Sequence, residues 1–136
     1  MNTLMRWCRF NAVGAVGMMV QLGVLAGLNR LAPGHALLMS AIALELTLLH
    51  NFIWHLNYTW RDRRGDSAVL GQLARFHLSN GLVSMAGNLA LMRVLVVGAG
   101  LTVLAGNAIA ILCCSVVNFG LSEVWAFARR DEVVHG

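Results

Sequence analysis

The sequence predicts an all-α integral membrane protein, with four transmembrane helices built as a parallel duplication of a two-helix hairpin. Three observations predict it. Of the 136 residues, 58% are hydrophobic and 12% charged. That is about half the charged share of a soluble domain, too little polar side chain to cover a surface in water. Apolar stretches long enough to cross a bilayer alternate with short turns. The chain also repeats itself. Asn51-Phe52, followed by Tyr58 and Trp60, returns as Asn118-Phe119, followed by Trp125 and Phe127, at the same internal spacing, and Arg9-Phe10 lies 66 residues before Arg75-Phe76. Two ordered marks recurring at nearly one offset imply an internal duplication of about half the chain.

The elements follow in order. Arg6, Trp7 and Arg9 form a basic and aromatic collar at a membrane surface. The first span, about 10–31, is too long and too plain for a cleavable signal peptide. Its Gly23 and Gly27 make a small-xxx-small pair suited to the close approach of another helix. Pro33-Gly34 turns the chain into a second span, about 36–58, with Glu45 near mid-bilayer. An unpaired carboxylate there costs about 2.5 kcal/mol or more, so Glu45 is protonated, paired or facing a polar cavity.

The loop from Arg61 to Ser67 is strongly polar, and its Arg64-Gly65-Asp66-Ser67 matches an adhesion tetrapeptide by coincidence. Residues 68–75 are expected to form a short helix along the interface ahead of the third span, about 76–97, which carries Asn80, Ser84, Asn88 and Arg93. Gly98-Ala99-Gly100 turns into the fourth span, about 101–127, with Asn107, Ser115, Asn118 and Glu123. Arg129, Arg130, Asp131 and Glu132 end it in water. The whole reads as one domain, 1–136, with repeat one at about 9–61 and repeat two at about 75–128.

Tight turns after the first and third spans put both termini and the central loop on one side. That side holds Arg6, Arg9, Arg61, Arg63, Arg64, Arg75, Arg129 and Arg130, whereas Arg30 and Arg93 lie toward the other. The positive-inside rule therefore predicts cytoplasmic termini. Both hairpins then share one orientation, related by an axis along the membrane normal.

All ten basic residues are arginine, whose fixed charge and planar fork suit phosphate and lipid head groups rather than marking a nucleic-acid binder. Arg9 and Arg75 open the odd-numbered helices from the cytoplasm. Asn51 and Asn118 lie about nine residues, or roughly 13 Å, inside the even-numbered ones. These two amides are either interhelical glue or the lining of a way in for a polar head group whose phosphate Arg9 and Arg75 attract. Tyr58, Trp60, Trp125 and Phe127 read as interfacial anchors. In the outer half, Glu45 and Arg93 are close enough in depth to pair. With His50, Asn88 and Asn107 they make a polar path through an oily bundle, or else a purely architectural pair.

Cys8, Cys113 and Cys114 give no disulfide framework, and Cys113 and Cys114 behave as small hydrophobes. His50 and His55 have no carboxylate or thiol at ligand spacing, so neither a metal nor a cofactor is expected. No Ser-His-Asp set or phosphate-cradling glycine loop lies outside the spans, and the connections are too short for a catalytic domain. The chain is not expected to be an enzyme.

Arg9-Phe10 with Val13-Gly14, Asn51-Phe52 with Tyr58-Thr59-Trp60, Arg75-Phe76, and Asn118-Phe119 with Trp125-Ala126-Phe127 together resemble the GtrA-like family of small four-span membrane proteins, over about residues 6–130. Where many members show Asn-Arg after each Asn-Phe, this chain has His55-Leu56 and Ser122-Glu123. The resemblance implies a flippase in the bacterial inner membrane. Its substrate would be a polyprenyl-phosphate-linked sugar, typically an undecaprenyl-phosphate hexose, carried to the outer leaflet for modification of surface polysaccharide. It also implies a membrane glycosyltransferase as partner. Four short helices enclose little volume, so a homo-oligomer would help to form the groove. Two alternatives stay open: a non-transporting subunit that docks a glycosyltransferase and binds its lipid carrier, and a small proton-coupled multidrug exporter using Glu45.

Overall fold

The computed structural model describes residues 2–63 and 68–128, apart from the side chains of Ala36 and Leu37. The Arg64–Ser67 tetrapeptide and the charged run Arg129 to Glu132 lie outside the described residues. Every regular element described is helical. The chain divides into two compact units, Met1–Arg64 and Gly65–Gly136, and the division falls between the two sets of repeated marks.

The first unit is a hairpin of α1 (Thr3–Leu31) and α2 (Ala36–Trp54). The Asn2 side chain caps α1 by accepting from the Leu4 N–H at 3.1 Å, satisfying one of the donors a helix start leaves open. The helix thus begins two turns earlier than the apolar stretch indicates, and the basic and aromatic collar is part of it. At the far end Gly34 takes a left-handed φ of 96° that a residue with a Cβ rarely adopts. Beyond Trp54, α2 widens into a π-helical stretch, His55–Thr59.

The second unit is a hairpin of α3 (Val69–Gly98) and α4 (Val103–Ala126). Thr102 caps α4 by accepting from the Ala105 N–H, and Gly100, with φ of 72°, makes the turn before it. Helix α3 is interrupted by π-helical stretches at His77–Val83 and Arg93–Gly98 but not broken. Residues 68–75, expected as a separate surface helix, are instead the start of α3. Gln72 and Phe76 are buried on its inner face, and that seating carries the segment straight into the span. Among the described residues α1, α3 and α4 are long and apolar enough to cross a membrane.

Burial follows one pattern in both hairpins. In α2 and its π stretch the buried residues Met39, Ala43, Thr47, His55 and Thr59 recur at multiples of four, with half-buried Asn51 in the same series. In α4 the series is Gly106, Ala110, Cys114, Asn118, Ser122 and Ala126, each 67 residues further on. Four residues advance an α-helix about 40° past a full turn, so such a series drifts off its face. A wider π turn rotates it back. Both helices widen at the same place: Trp60 N–H reaches His55 O and Phe127 N–H reaches Ser122 O, five residues back and 2.8 Å in each case.

The repeated aromatics fill the space beside these π turns. The Phe10 and Trp60 rings meet edge-on at 6.0 Å in the first hairpin, and Phe76 and Phe127 do so at 6.0 Å in the second. Trp60 is 0% and Phe127 1% exposed, whereas Tyr58 and Trp125 are 41% and 42% exposed. The four aromatics expected as interfacial anchors therefore split. Trp60 and Phe127 are core residues, because the π turn swings them inward, and Tyr58 and Trp125 keep an outward position.

Within the first hairpin no helix approaches the glycine pair: nothing lies within 4 Å of a Cβ built at Gly23 or Gly27. The close approach is at Gly17, where a Cβ would stand 2.7 Å from the Asn51 amide carbon. Gly17→Ala is accordingly expected to displace the Asn51 side chain and lower hairpin stability by about 1 kcal/mol, within the usual range for mild overpacking. Gly23→Ala should be neutral or slightly stabilising, since alanine is the better helix former. Thermal unfolding of the two variants in one detergent separates them, and equal midpoints would remove Gly17 as a packing site.

Candidate functional site

Polar side chains on apolar helices must find partners inside the lipid, and many here use their own backbone. Thr47 Oγ1 donates to Ala43 O at 2.7 Å, Asn57 Nδ2 to Ile53 O at 2.7 Å and Asn11 Nδ2 to Trp7 O at 2.9 Å. Such bonds to the preceding turn satisfy one donor of each side chain within its own helix.

At the start of α1, Arg9 is half-buried. Its Nη1 donates to the Tyr58 carbonyl at 3.2 Å, and its guanidinium lies over the Tyr58 ring at 4.6 Å from the centroid, a cation–π contact. Tyr58 also lines a cavity of about 140 Å³ with Trp54, His50, Val13, Val16 and Ala12. A fixed cation thus borders an apolar hollow in the first hairpin. Deeper along α2, the Asn51 and His50 side chains meet, Nδ1 to Oδ1, at 3.2 Å. Because an amide oxygen only accepts, the proton lies on Nδ1. Glu45 is exposed on α2, two residues from buried Ala43 and two from buried Thr47, and so faces away from the seam with α1.

In the second hairpin Arg75 is half-buried, and its Nε is sealed from solvent without an acceptor among the described residues. Asn118 is 8% exposed, and its Oδ1 is buried with no donor among the described residues. It lines a second cavity, of about 210 Å³, together with Val83, Gly87, Leu91, Cys114 and Val117. The Asn88 Oδ1 is likewise buried without a donor among the described residues. Asn107 is half-buried on α4, and Arg93 is exposed at the start of the second π stretch of α3. Of the residues expected to form the site, the structure brings together His50 with Asn51 in one hairpin and sets Asn118 in a cavity of the other.

Several buried polar groups escaped the sequence reading. Arg6 is buried and binds Asp62 at 2.9 Å. Asp62 lies outside the spans, in the 3₁₀ turn Arg61–Arg63. Desolvation pushes its carboxyl up, but its backbone hydrogen bond and the charges of Arg6 and Arg63 outweigh that and hold it below its ordinary range. His55 stacks on Phe10 with centroids 4.7 Å apart, and its Nδ1 meets Thr59 Oγ1 at 3.0 Å. At the matching position, Ser122 Oγ accepts from Asn80 Nδ2 at 3.1 Å, and Asn80 also donates to Ser79 Oγ at 3.1 Å. His55 and Ser122 are where this chain departs from the common Asn-Arg pattern, and here both are packing residues. The four-residue spacing that runs through both was the signal that could have found them.

Fold and side chains define a helical membrane protein whose hairpins hold hydrogen-bonding groups between apolar walls. Residues 9–129 match the family described as GtrA/DPMS, transmembrane domain, and the chain belongs to that family. Membership ties it to the handling of polyprenyl-phosphate sugar lipids. No curated protein matches the chain significantly.

Proposed function

We propose that the chain crosses the membrane four times as a duplicated hairpin, α2 with its π stretch crossing as the second span beside α1, α3 and α4. On this reading it flips a polyprenyl-phosphate-linked sugar, an undecaprenyl-phosphate hexose in the simplest case, from the cytoplasmic to the outer leaflet. The protein sits in a bacterial inner membrane with both termini cytoplasmic, works beside the glycosyltransferase that makes its substrate, and assembles as a homo-oligomer. The observation that carries the reading is the cationic edge of the first cavity. Arg9 lies on Tyr58, and Tyr58 with Trp54 and Val16 lines an apolar hollow. A phosphate-bearing prenyl lipid has this division of charge and hydrocarbon. The head needs a fixed cation near the surface, and the tail stays in lipid or against apolar walls while the head passes polar side chains. Arg75 is proposed as the matching phosphate contact of the second hairpin. Asn118, Glu45, Arg93, Asn88 and Asn107 are proposed as the polar groups met on the way, and Asn51 and His50, bonded to each other, as a pair that borders it.

A leaflet-accessibility assay with purified protein in vesicles and a polyprenyl-phosphate hexose tests the reading. Glu45→Gln is expected to slow flipping roughly tenfold or more, since it removes a charged partner whose hydrogen bond to the passing head is worth about 1.5–3 kcal/mol. No flipping by the unaltered protein would favour the docking subunit, and loss of drug efflux in Glu45→Gln would favour the exporter.

A further inference from the structure

The two halves carry the same asparagine at the same place, but only one of them is open. Asn51 Oδ1 already has its donor, His50 Nδ1, at 3.2 Å. At the position matching His50 the second half has Val117, which can donate nothing. Asn118 Oδ1 is consequently sealed without a donor among the described residues, on a residue 8% exposed that lines the 210 Å³ cavity with Val117 and Cys114. A buried acceptor without a donor is destabilising until one arrives.

We infer that the halves are unequal: Asn118 takes a neutral O–H donor of the transported head group, a sugar hydroxyl, while Asn51 is a structural amide committed to His50. This rests on the flipping reading and gives it a subsite. An amide oxygen accepts and does not donate, so it selects a hydroxyl and is indifferent to a phosphate oxygen. Water fits poorly. An ordered water needs two to four polar partners, and the apolar walls supply few.

The test compares binding of a polyprenyl-phosphate hexose with binding of the same polyprenyl phosphate lacking sugar, in detergent-solubilised full-length protein. Asn118→Leu is expected to lower affinity for the sugar-bearing lipid roughly three- to tenfold, the worth of one ordinary hydrogen bond, and to leave the sugar-free lipid unchanged. Val117→His keeps Asn118 but supplies the donor its counterpart enjoys, and should cause the same selective loss. Asn51→Leu should shift stability without touching the preference for sugar. Equal losses at Asn51 and Asn118, equal losses for both lipids, or full sugar preference in Val117→His would each overturn the inference.

Should Val117→His fail to fold, Cys114 reports on the same cavity. In a Cys8→Ser, Cys113→Ser background the sugar-bearing lipid is expected to slow its alkylation at least threefold, and the sugar-free lipid is not. Absence of that protection also overturns the inference. Flipping is scored separately in vesicles. Sugar-selective binding without translocation would sink the flippase reading and keep the subsite, and translocation indifferent to Asn118 would do the reverse.

Discussion

Replacing Trp60 with alanine is expected to destabilise the first hairpin by about 3–5 kcal/mol, the range for emptying a large aromatic site in a packed interior. Trp60 is wholly buried, stands edge-on to Phe10 at 6.0 Å and lies 5.3 Å from the His55 ring. Its backbone N–H also closes the π turn on His55 O. The cavity left by the indole would therefore open beside the stacked His55–Phe10 pair. Phe127→Ala should behave the same way in the second hairpin, where Phe127 meets Phe76. Tyr58→Ala and Trp125→Ala are the controls. Both residues are about two-fifths exposed, and each change should cost about 1 kcal/mol or less in detergent, as substitutions away from a core do. Chemical unfolding of the four variants decides the matter. If Trp125→Ala cost as much as Phe127→Ala, the division into core and outward aromatics would be wrong.

That division also shows how much was legible from the residues. The helices, the turns at Gly34 and Gly100 and the pairing of marks came from hydropathy and from repeated letters. The roles of the marks did not. Trp60 and Phe127 look like interfacial anchors on an ideal α-helix, and only the π turns place them inside. A π turn leaves no letter in the sequence, because it is set by the pull of a four-residue seam against a 3.6-residue helix. The seam itself was readable, from Ala43 through Thr47, His55 and Thr59 and from Ala110 through Cys114, Asn118, Ser122 and Ala126. It mixes small, polar and aromatic residues, so a search for apolar periodicity passes over it. For the same reason Gly17, which lies against Asn51, drew no more notice than Gly23 and Gly27, which touch nothing. The difference between Asn51 and Asn118 was invisible at the motif itself, since both read Asn-Phe. It lies one residue earlier, in His50 against Val117.

Removing the Asp62 carboxylate is the second change with a large expected effect. Arg6 and Asp62 meet at 2.9 Å with side chains 7% and 29% exposed, so the pair joins a buried cation to a partly solvated anion. Breaking a fully buried pair costs about 3–5 kcal/mol because one charge is stranded, and an exposed pair is worth about 0–1 kcal/mol. With Arg6 buried and Asp62 partly screened, Asp62→Ala should cost about 1–3 kcal/mol, between those limits. The same carboxyl gives a pH dependence of known sign. Its folded-state affinity for protons is depressed, so the stability it contributes is fully present at neutral pH, above the ordinary carboxylate range. That contribution is lost as pH falls through the lower, folded-state value. Asp62→Asn should erase that part of the acid dependence and leave the remainder. Arg6→Met tests whether the stranded charge is the cause. In the double variant Arg6→Met, Asp62→Ala the cation is gone, and stability should return most of the way, giving a coupling of about 1–3 kcal/mol in the cycle. A strictly additive cycle would mean that Arg6 is held by its other surroundings and that the pair does not fasten the start of α1 to the turn after α2.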